Sequence, residues 1–236
     1  MGKALECLIC SEPLLYLEKQ EKMVCSFCQR KFDSYVKCIH GHYICDTCHE
    51  AQGLKAIRET CLASSSRNPA ALALQIMRNP AIYMHGPEHH TLVGAVLLAS
   101  FKQAGGDIML LQALEEMQRR GSQLPGGICG LYGCCGAAVS AGAFYSIVTN
   151  AIPLSGHVWG QGNQLTAACL MRIGQLGGPR CCKRDSLTAI LTAVDFVSEH
   201  LGITMETDEQ VLCPFSEKNA QCIRRKCPYY SKSVPR

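Results

Sequence analysis

The sequence predicts a mainly α protein in two parts: a small cysteine-rich amino-terminal module over residues 1–60 and an all-α helical domain over residues 61–236. Three observations predict it. Cysteine pairs crowd the first 50 residues among polar neighbours, while alanine, leucine and glycine at helical spacing dominate after residue 61. No strand-like alternation of apolar and polar residues appears beyond residue 60. With 236 residues, 47% of them hydrophobic, the chain can bury a substantial core, so its 17 cysteines are not needed as a disulfide framework. They are also too many for free core thiols, which points to bound metal.

The first module contains "CLIC", "CSFC" and "CIHGHYICDTCH". Each C-x-x-C turns two thiolates toward one ion, and two such pairs complete a tetrahedral zinc site. Cys7, Cys10, Cys25 and Cys28 alone have zinc-ribbon spacing; Cys45 and Cys48 form a further pair, and Cys38 with His40 or His42 supplies another. That is enough for two zinc ions in a segment too short to fill a core of its own. Ligation could be sequential, with Cys7, Cys10, Cys25 and Cys28 on one ion, or a cross-brace in which alternate pairs share an ion. Interleaving lets two ions rigidify one compact unit, which favours the cross-brace.

"ETCLASSSRNP" reads as the junction. Asn68 then caps a helix over about 69–78 with Pro69 in its first turn, and Asn79-Pro80 closes it. "HHTLVGAVLLASFKQAGG" predicts a largely buried helix stopped by Gly105 and Gly106. "DIMLLQALEEMQRRG" follows, acidic at its start, basic in its last turn and ended by Gly121, as the helix macrodipole prefers. Further helices fit about 135–150, 163–176 and 185–201, the first with small residues that allow close packing.

Ten cysteines lie in this second part. Cys61 and Cys169 read as small buried apolar residues. "GGICGLYGCCGAA" places Cys129 in a glycine-rich turn and Cys135 at a helix start, and "GGPRCCKRDS" sets Cys181 and Cys182 before another helix. A helix amino terminus offers unpaired N–H groups and partial positive charge, which stabilise thiolates or an anionic cluster, and Arg180, Lys183 and Arg184 add to that field. The tail "CPFSEKNAQCIRRKCPYY" adds Cys213, Cys222 and Cys227 in a loosely ferredoxin-like spacing ending in Cys-Pro. The expected second site is therefore an iron–sulfur cluster or a further zinc on Cys129, Cys135, Cys181, Cys182, Cys213, Cys222 and Cys227. "YMHGPEHHTLVG" supplies His85, Glu88, His89 and His90, an acid–base group or a metal face. His157 and Trp159 could line a pocket.

The net charge of +4 resides in the tail: residues 213–236 hold six Lys/Arg against one Asp/Glu, and the rest is balanced. A broad nucleic-acid face is unsupported. The start "MGKALECLIC" lacks secretory features, which places the protein in the cytoplasm. The longest uncharged run, containing "GICGLYGCCGAAVSAGAFYSIVTNAIP", is too interrupted by Gly, Ser, Asn and Pro for a membrane span.

"HGPEHHTLVGAVLLASFKQAGGD", "PGGICGLYGCCGAA", "GGPRCCKRDS" and the cysteine tail resemble a prokaryotic domain family of unknown function found in anaerobes and methanogens, whose members are sometimes fused to or labelled as methyltransferases. The resemblance favours His85, His89, Cys129, Cys135, Cys181, Cys182, Cys213, Cys222 and Cys227 as site residues, with Cys134 an extra. It implies no established activity, and no glycine-rich adenosyl-binding loop supports a methyltransferase here. The expected function is a cytosolic metalloprotein with structural zinc and a second cysteine-rich site for thiol, sulfur-transfer or redox chemistry on a small molecule or thiol substrate. Cys181 or Cys182 would be nucleophile or ligand, and His85 and His89 would handle protons. The alternative is a zinc-dependent module that binds a protein partner without catalysis.

Overall fold

The computed structural model describes residues 7, 9, 10 and 12–231 and divides into two compact units, Met1–Gln52 and Gly53–Arg236. In the first unit, β1 (Leu14–Val24) and β2 (Lys31–Cys38) form an antiparallel hairpin, running from Leu14 opposite Cys38 to Val24 opposite Lys31, with an irregularity between Tyr16 and Glu21. The cross-strand pair Lys22–Asp33 and the ring contact of Phe32 with Tyr43, centroids 6.1 Å apart, support it only weakly. A lone hairpin is marginal in water. Its stability must come from elsewhere, and cysteines stand at both ends: Cys7, Cys10 and Cys38 at the open end, Cys25 and Cys28 in the connecting turn.

Helix α1 (Asp46–Ala63) runs into the junction expected at residues 59–69, and the serines that follow separate it from α2 (Pro69–Met77). Asn68 caps α2 as expected, its Oδ1 accepting from the Ala71 N–H at 2.9 Å. The helical unit is built around α3 (His89–Gln103), in which every residue from His89 to Phe101 is buried. Such all-round burial needs neighbours on every side. They are α2, α4 (Leu110–Gly121), α6 (Gly136–Val148) and α8 (Cys182–Leu201). The short α5 (Ile128–Leu131) precedes α6, and α7 (His157–Leu176) lies at the periphery, burying only Gln161, Leu165 and Cys169.

After α8, which ends on Gly202 with φ +66°, the chain is extended. The Glu206 N–H donates to the Arg67 carbonyl at 2.8 Å, the Cys213 N–H to the Tyr229 carbonyl at 2.8 Å, and Tyr229 shares a 3.0 Å hydroxyl contact with Thr188 of α8. Met205, Val211, Phe215 and Tyr229 join the core, so the cysteine tail is packed rather than free. Among the described residues after Gly53 there is no strand, only the isolated bridge of Cys213 with Tyr230. No helix is long and apolar enough to cross a membrane.

Three helix starts differ from expectation. α8 begins at Cys182 rather than at about residue 185. α7 begins at His157, so His157 and Trp159 lie in its first turn rather than in a loop. α4 begins at Leu110, leaving Asp107 ahead of it.

Gly94 shows how tightly α3 is packed. A Cβ there would collide with Met117 Sδ of α4 and stand 3.1 Å from the Ser140 carbonyl oxygen of α6, while the Gly94 N–H donates to Ser140 Oγ at 2.9 Å. Gly94→Ala is therefore expected to cost about 1–3 kcal/mol by overpacking. In denaturant unfolding, the double variant Gly94→Ala/Met117→Ala should cost less than the sum of the two single changes, because truncating Met117 removes the clash. Strict additivity would show that the two side chains do not meet.

Candidate metal centres

The first unit brings eight ligands into two sets. Cys7, Cys10, Cys38 and His42 form one, Cys25, Cys28, Cys45 and Cys48 the other, and within each set all ligand atoms lie within 4.8 Å of one another. Both sets could hold a metal ion. In the first, Cys10 Sγ is 3.4 Å from Cys38 Sγ and 3.3 Å from His42 Nδ1. In the second, Cys28 Sγ is 3.7 Å from Cys45 Sγ. A tetrahedral ion with metal–sulfur bonds of about 2.3 Å needs sulfurs about 3.8 Å apart, which these sets nearly provide.

The pairs interleave along the chain, one set clasping each end of the hairpin. The choice left open between the two histidines falls on His42. His40 contributes its backbone N–H to Cys38 Sγ at 3.4 Å instead.

The local backbone favours the thiolate at Cys7 and Cys25, whereas Cys10, despite the Glu12 N–H, is raised to about 11 by burial and by the Cys38 and Cys7 thiols, and Cys48 to about 12 by the Cys45 thiol and burial. Burial raises the Cys25 pKa, but the N–H groups of Cys28, Cys45 and Phe27 outweigh it and bring the thiol down to about 6. Burial likewise opposes ionisation of Cys7, and the N–H groups of Ile9 and Cys10 bring it to about 7. Arg30 lies beside Cys28 and lowers it further.

In the helical unit, the expected seven-cysteine set separates. Cys181, Cys213, Cys222 and Cys227 line one pocket, together with Lys183, Arg184 and Asn219. Cys129, Cys135 and Cys182 do not line it. Each pocket thiol faces a backbone N–H two or three residues onward: Arg184 for Cys181 at 3.5 Å, Arg224 for Cys222 at 3.4 Å, Phe215 for Cys213 and Tyr229 for Cys227. Asn219 Nδ2 adds a second donor to Cys181 at 3.3 Å. This is the same N–H-to-sulfur arrangement that Ile9 makes with Cys7 and His40 with Cys38 in the first unit.

The spacing differs, however. No three of the four sulfurs lie mutually within 4.8 Å, so the set is more open than the two in the hairpin unit. Burial raises Cys213 to about 11 and also raises Cys181 and Cys227, with each thiol further raised by neighbouring ones. Four thiolates could coexist here only with compensating positive charge.

Part of that charge is built in. Lys183 is 1% exposed, its Nζ donating to the Ile82 carbonyl at 3.2 Å and standing 5.1 Å from the Phe215 ring centre. Burial lowers its pKa to about 8. Arg184 donates from Nε to Asp185 at 2.9 Å and from Nη2 to the Gly177 and Pro179 carbonyls. Its buried Nη1 has no hydrogen-bond partner among the described residues. A buried N–H group without an acceptor, on a residue lining a four-thiol pocket, suits an acceptor bound there.

The neighbouring cysteine faces elsewhere. Cys182 takes the N–H of Gly86, and burial pushes its pKa to about 12; Cys135, at the start of α6, is raised to about 11 by burial. Both are thiols at neutral pH. Burial holds His89 well below the ordinary imidazole range, and its Nδ1 donates to the Gly86 carbonyl at 3.1 Å. His85 is lowered to about 4 by burial and by the charge of Arg180. Neither neutral imidazole lines the four-cysteine pocket, although His85 meets Asn219, which does. Sequence reasoning did not single out Asn219 or Phe215; an asparagine within a cysteine tail carries no signal until the tail folds onto α8.

Residues 57–230 match the model of a family of unknown function, DUF5714, and the chain belongs to that family. The match contains all four pocket cysteines and leaves out the eight ligands of the hairpin unit. No curated protein and no solved structure matches the chain.

The interleaved ligation makes a direct prediction. His42→Ala should reduce the metal content of the hairpin unit by one ion, measured by elemental analysis of the full-length protein, whereas His40→Ala should leave it unchanged. The opposite result would assign His40 as the ligand.

Proposed function

We propose that this protein is a redox metalloprotein in which two zinc ions hold the amino-terminal hairpin unit and an iron–sulfur cluster is carried by Cys181, Cys213, Cys222 and Cys227. The observation that supports the cluster is the four-thiol pocket itself: each thiol faces a backbone N–H, and the four sulfurs do not make the mutually close ligand set seen twice in the hairpin unit. Zinc suits the hairpin sets, because closed groups of four sulfur and nitrogen ligands match its geometry and a unit this small needs the binding energy to fold. An iron–sulfur cluster suits the wider set, because its thiolate ligands are distributed over separate irons.

The surroundings agree with an anionic cluster. Lys183, Arg184 Nη1 and the four backbone N–H groups place positive charge and donors where sulfur charge would accumulate. When bound, such a cluster supplies one-electron redox chemistry. The residues of the chain hold its thiolates, offset their charge and pack Phe215 and Met84 against the site. Four thiolates leave no iron free for a substrate, which favours electron transfer over sulfur transfer at this centre. Cys182, a buried thiol turned toward Gly86, fits a packing role better than that of a nucleophile.

The test is anaerobic purification or reconstitution, followed by iron, sulfide and zinc analysis and a visible spectrum. Iron and sulfide in equal amounts beside two zinc ions are expected. Ser replacements at Cys213, Cys222 or Cys227 should abolish or strongly reduce the iron, whereas Cys129→Ser and Cys135→Ser should retain it. A colourless protein with a third zinc and no sulfide would refute the cluster.

A further inference from the structure

The loop between two of the four pocket cysteines carries a feature that the cluster alone does not explain. Cys222 and Cys227 bracket Arg224–Lys226, a single 3-10 turn of three consecutive cations, all exposed. Arg224 adopts φ +52°, a backbone region that β-carbon residues seldom occupy, and pairs through Nη1 with Glu217 Oε1 at 2.5 Å. Arg225 and Lys226 have no ion pair among the described residues, and Lys218 adds another exposed cation to the same tail. From Cys213 to Ser231, Glu217 is the sole acidic residue. The segment leading in does carry Asp208 and Glu209, but the turn between the ligands carries none. The Cys222 sulfur, which accepts from the Arg224 N–H, belongs to the exposed edge of the pocket.

We infer that this basic turn is the docking surface for an acidic one-electron carrier protein, and that it places the carrier directly over the Cys222–Cys227 edge of the cluster. The inference rests on the cluster proposed above and names its partner. Electron transfer between proteins falls off steeply with distance, so a productive carrier must sit over the edge of the cluster nearest to solvent. Cations located between two ligands of that edge steer an acidic partner toward it, and the tail holds the net positive charge of an otherwise balanced chain. In the transfer, the reduced carrier loses one electron and the cluster gains one; no bond forms or breaks and no proton is required. A nucleic acid fits less well, since the six cations of residues 213–236 are few for phosphate neutralisation and a ligand loop offers no groove-sized element.

The experiment uses full-length, cluster-loaded protein and a chemically reduced plant-type [2Fe–2S] ferredoxin as an acidic probe, with cluster reduction followed by stopped-flow absorbance under anaerobic conditions. At low ionic strength the second-order rate constant should fall at least tenfold in Arg225→Glu/Lys226→Glu and should fall in the parent as salt rises. Iron content, sulfide content and reduction potential of the variant should stay close to those of the parent, which separates docking from cluster damage. A loaded parent whose reduction is insensitive both to salt and to the charge reversal overturns the docking surface while leaving the cluster intact. Binding of duplex DNA that is lost in the same variant, with no ferredoxin effect, would assign the turn to nucleic acid instead. Protein without iron or sulfide would defeat the cluster reading, and the docking surface with it.

Discussion

The constraint on which the structure turns is the cost of removing thiolates from water. A buried thiolate is unfavourable unless donors and cations replace its hydration. In the hairpin unit, N–H groups bring Cys25 down to about 6 and Cys7 to about 7 against burial. In the helical unit, burial prevails at Cys213, which stands at about 11 although the Phe215 N–H favours the thiolate. The same backbone device therefore has two outcomes. Both outcomes occur within the hairpin unit itself, where Cys10 is raised to about 11 although the Glu12 N–H favours its thiolate; wherever burial prevails, neighbouring thiolates would need positive charge from elsewhere. Lys183 and Arg184 supply only part of it, and each is itself costly to bury.

That requirement explains much of the packing around α8. Lys183, Arg184 and Asp185 are all nearly fully buried in the first turn of a helix, a placement that charged residues rarely accept. Arg184 is fixed by Asp185 and two loop carbonyls, leaving Nη1 unclaimed. Lys183 is fixed by one carbonyl and one aromatic face. The tail is drawn to the same place by Thr188 and by Asn219, whose amide meets Cys181. Polar residues that would otherwise destabilise the core are thus gathered beside a pocket lined by four cysteines.

The sequence disclosed these parts unevenly. The helices with strong signals were legible: Asn68-Pro69 caps α2, the near-continuous apolar run forms α3, and the paired glycines end it. The hairpin was not legible, because "LLYLEKQEKMV" is charged on a strand with little core to face, and its pairing depends on the cysteine sets at its ends. Helix α1 carries no clear apolar stripe, and Gly160 and Gly162 make the first turns of α7 read as loop. Site residues followed the same division. Ligand pairs close in sequence were recognisable from their spacing, whereas His42 over His40 depends on which ring the "HGH" turn swings toward Cys10. The division of seven cysteines into four plus three required the tail to be placed against α8.

The adjacent pair Cys181-Cys182 shows why spacing alone could not make that division. Cys181 is the N-cap of α8, with φ −146° and ψ 99°, and Cys182 is the first helical residue. The change from extended to helical backbone between them sends the two side chains apart, Cys181 toward Asn219 and the pocket, Cys182 toward the Gly86 N–H. Gly86 is itself pinned, since a Cβ there would collide with the buried carboxylate of Glu88. A cap position therefore does the sorting: it gives one thiol the amino-terminal N–H groups of the helix and denies them to its neighbour. Of two chemically identical residues, only Cys181 lines the four-cysteine pocket, and the distinction comes from the extended backbone of the cap position rather than from any difference in the residues.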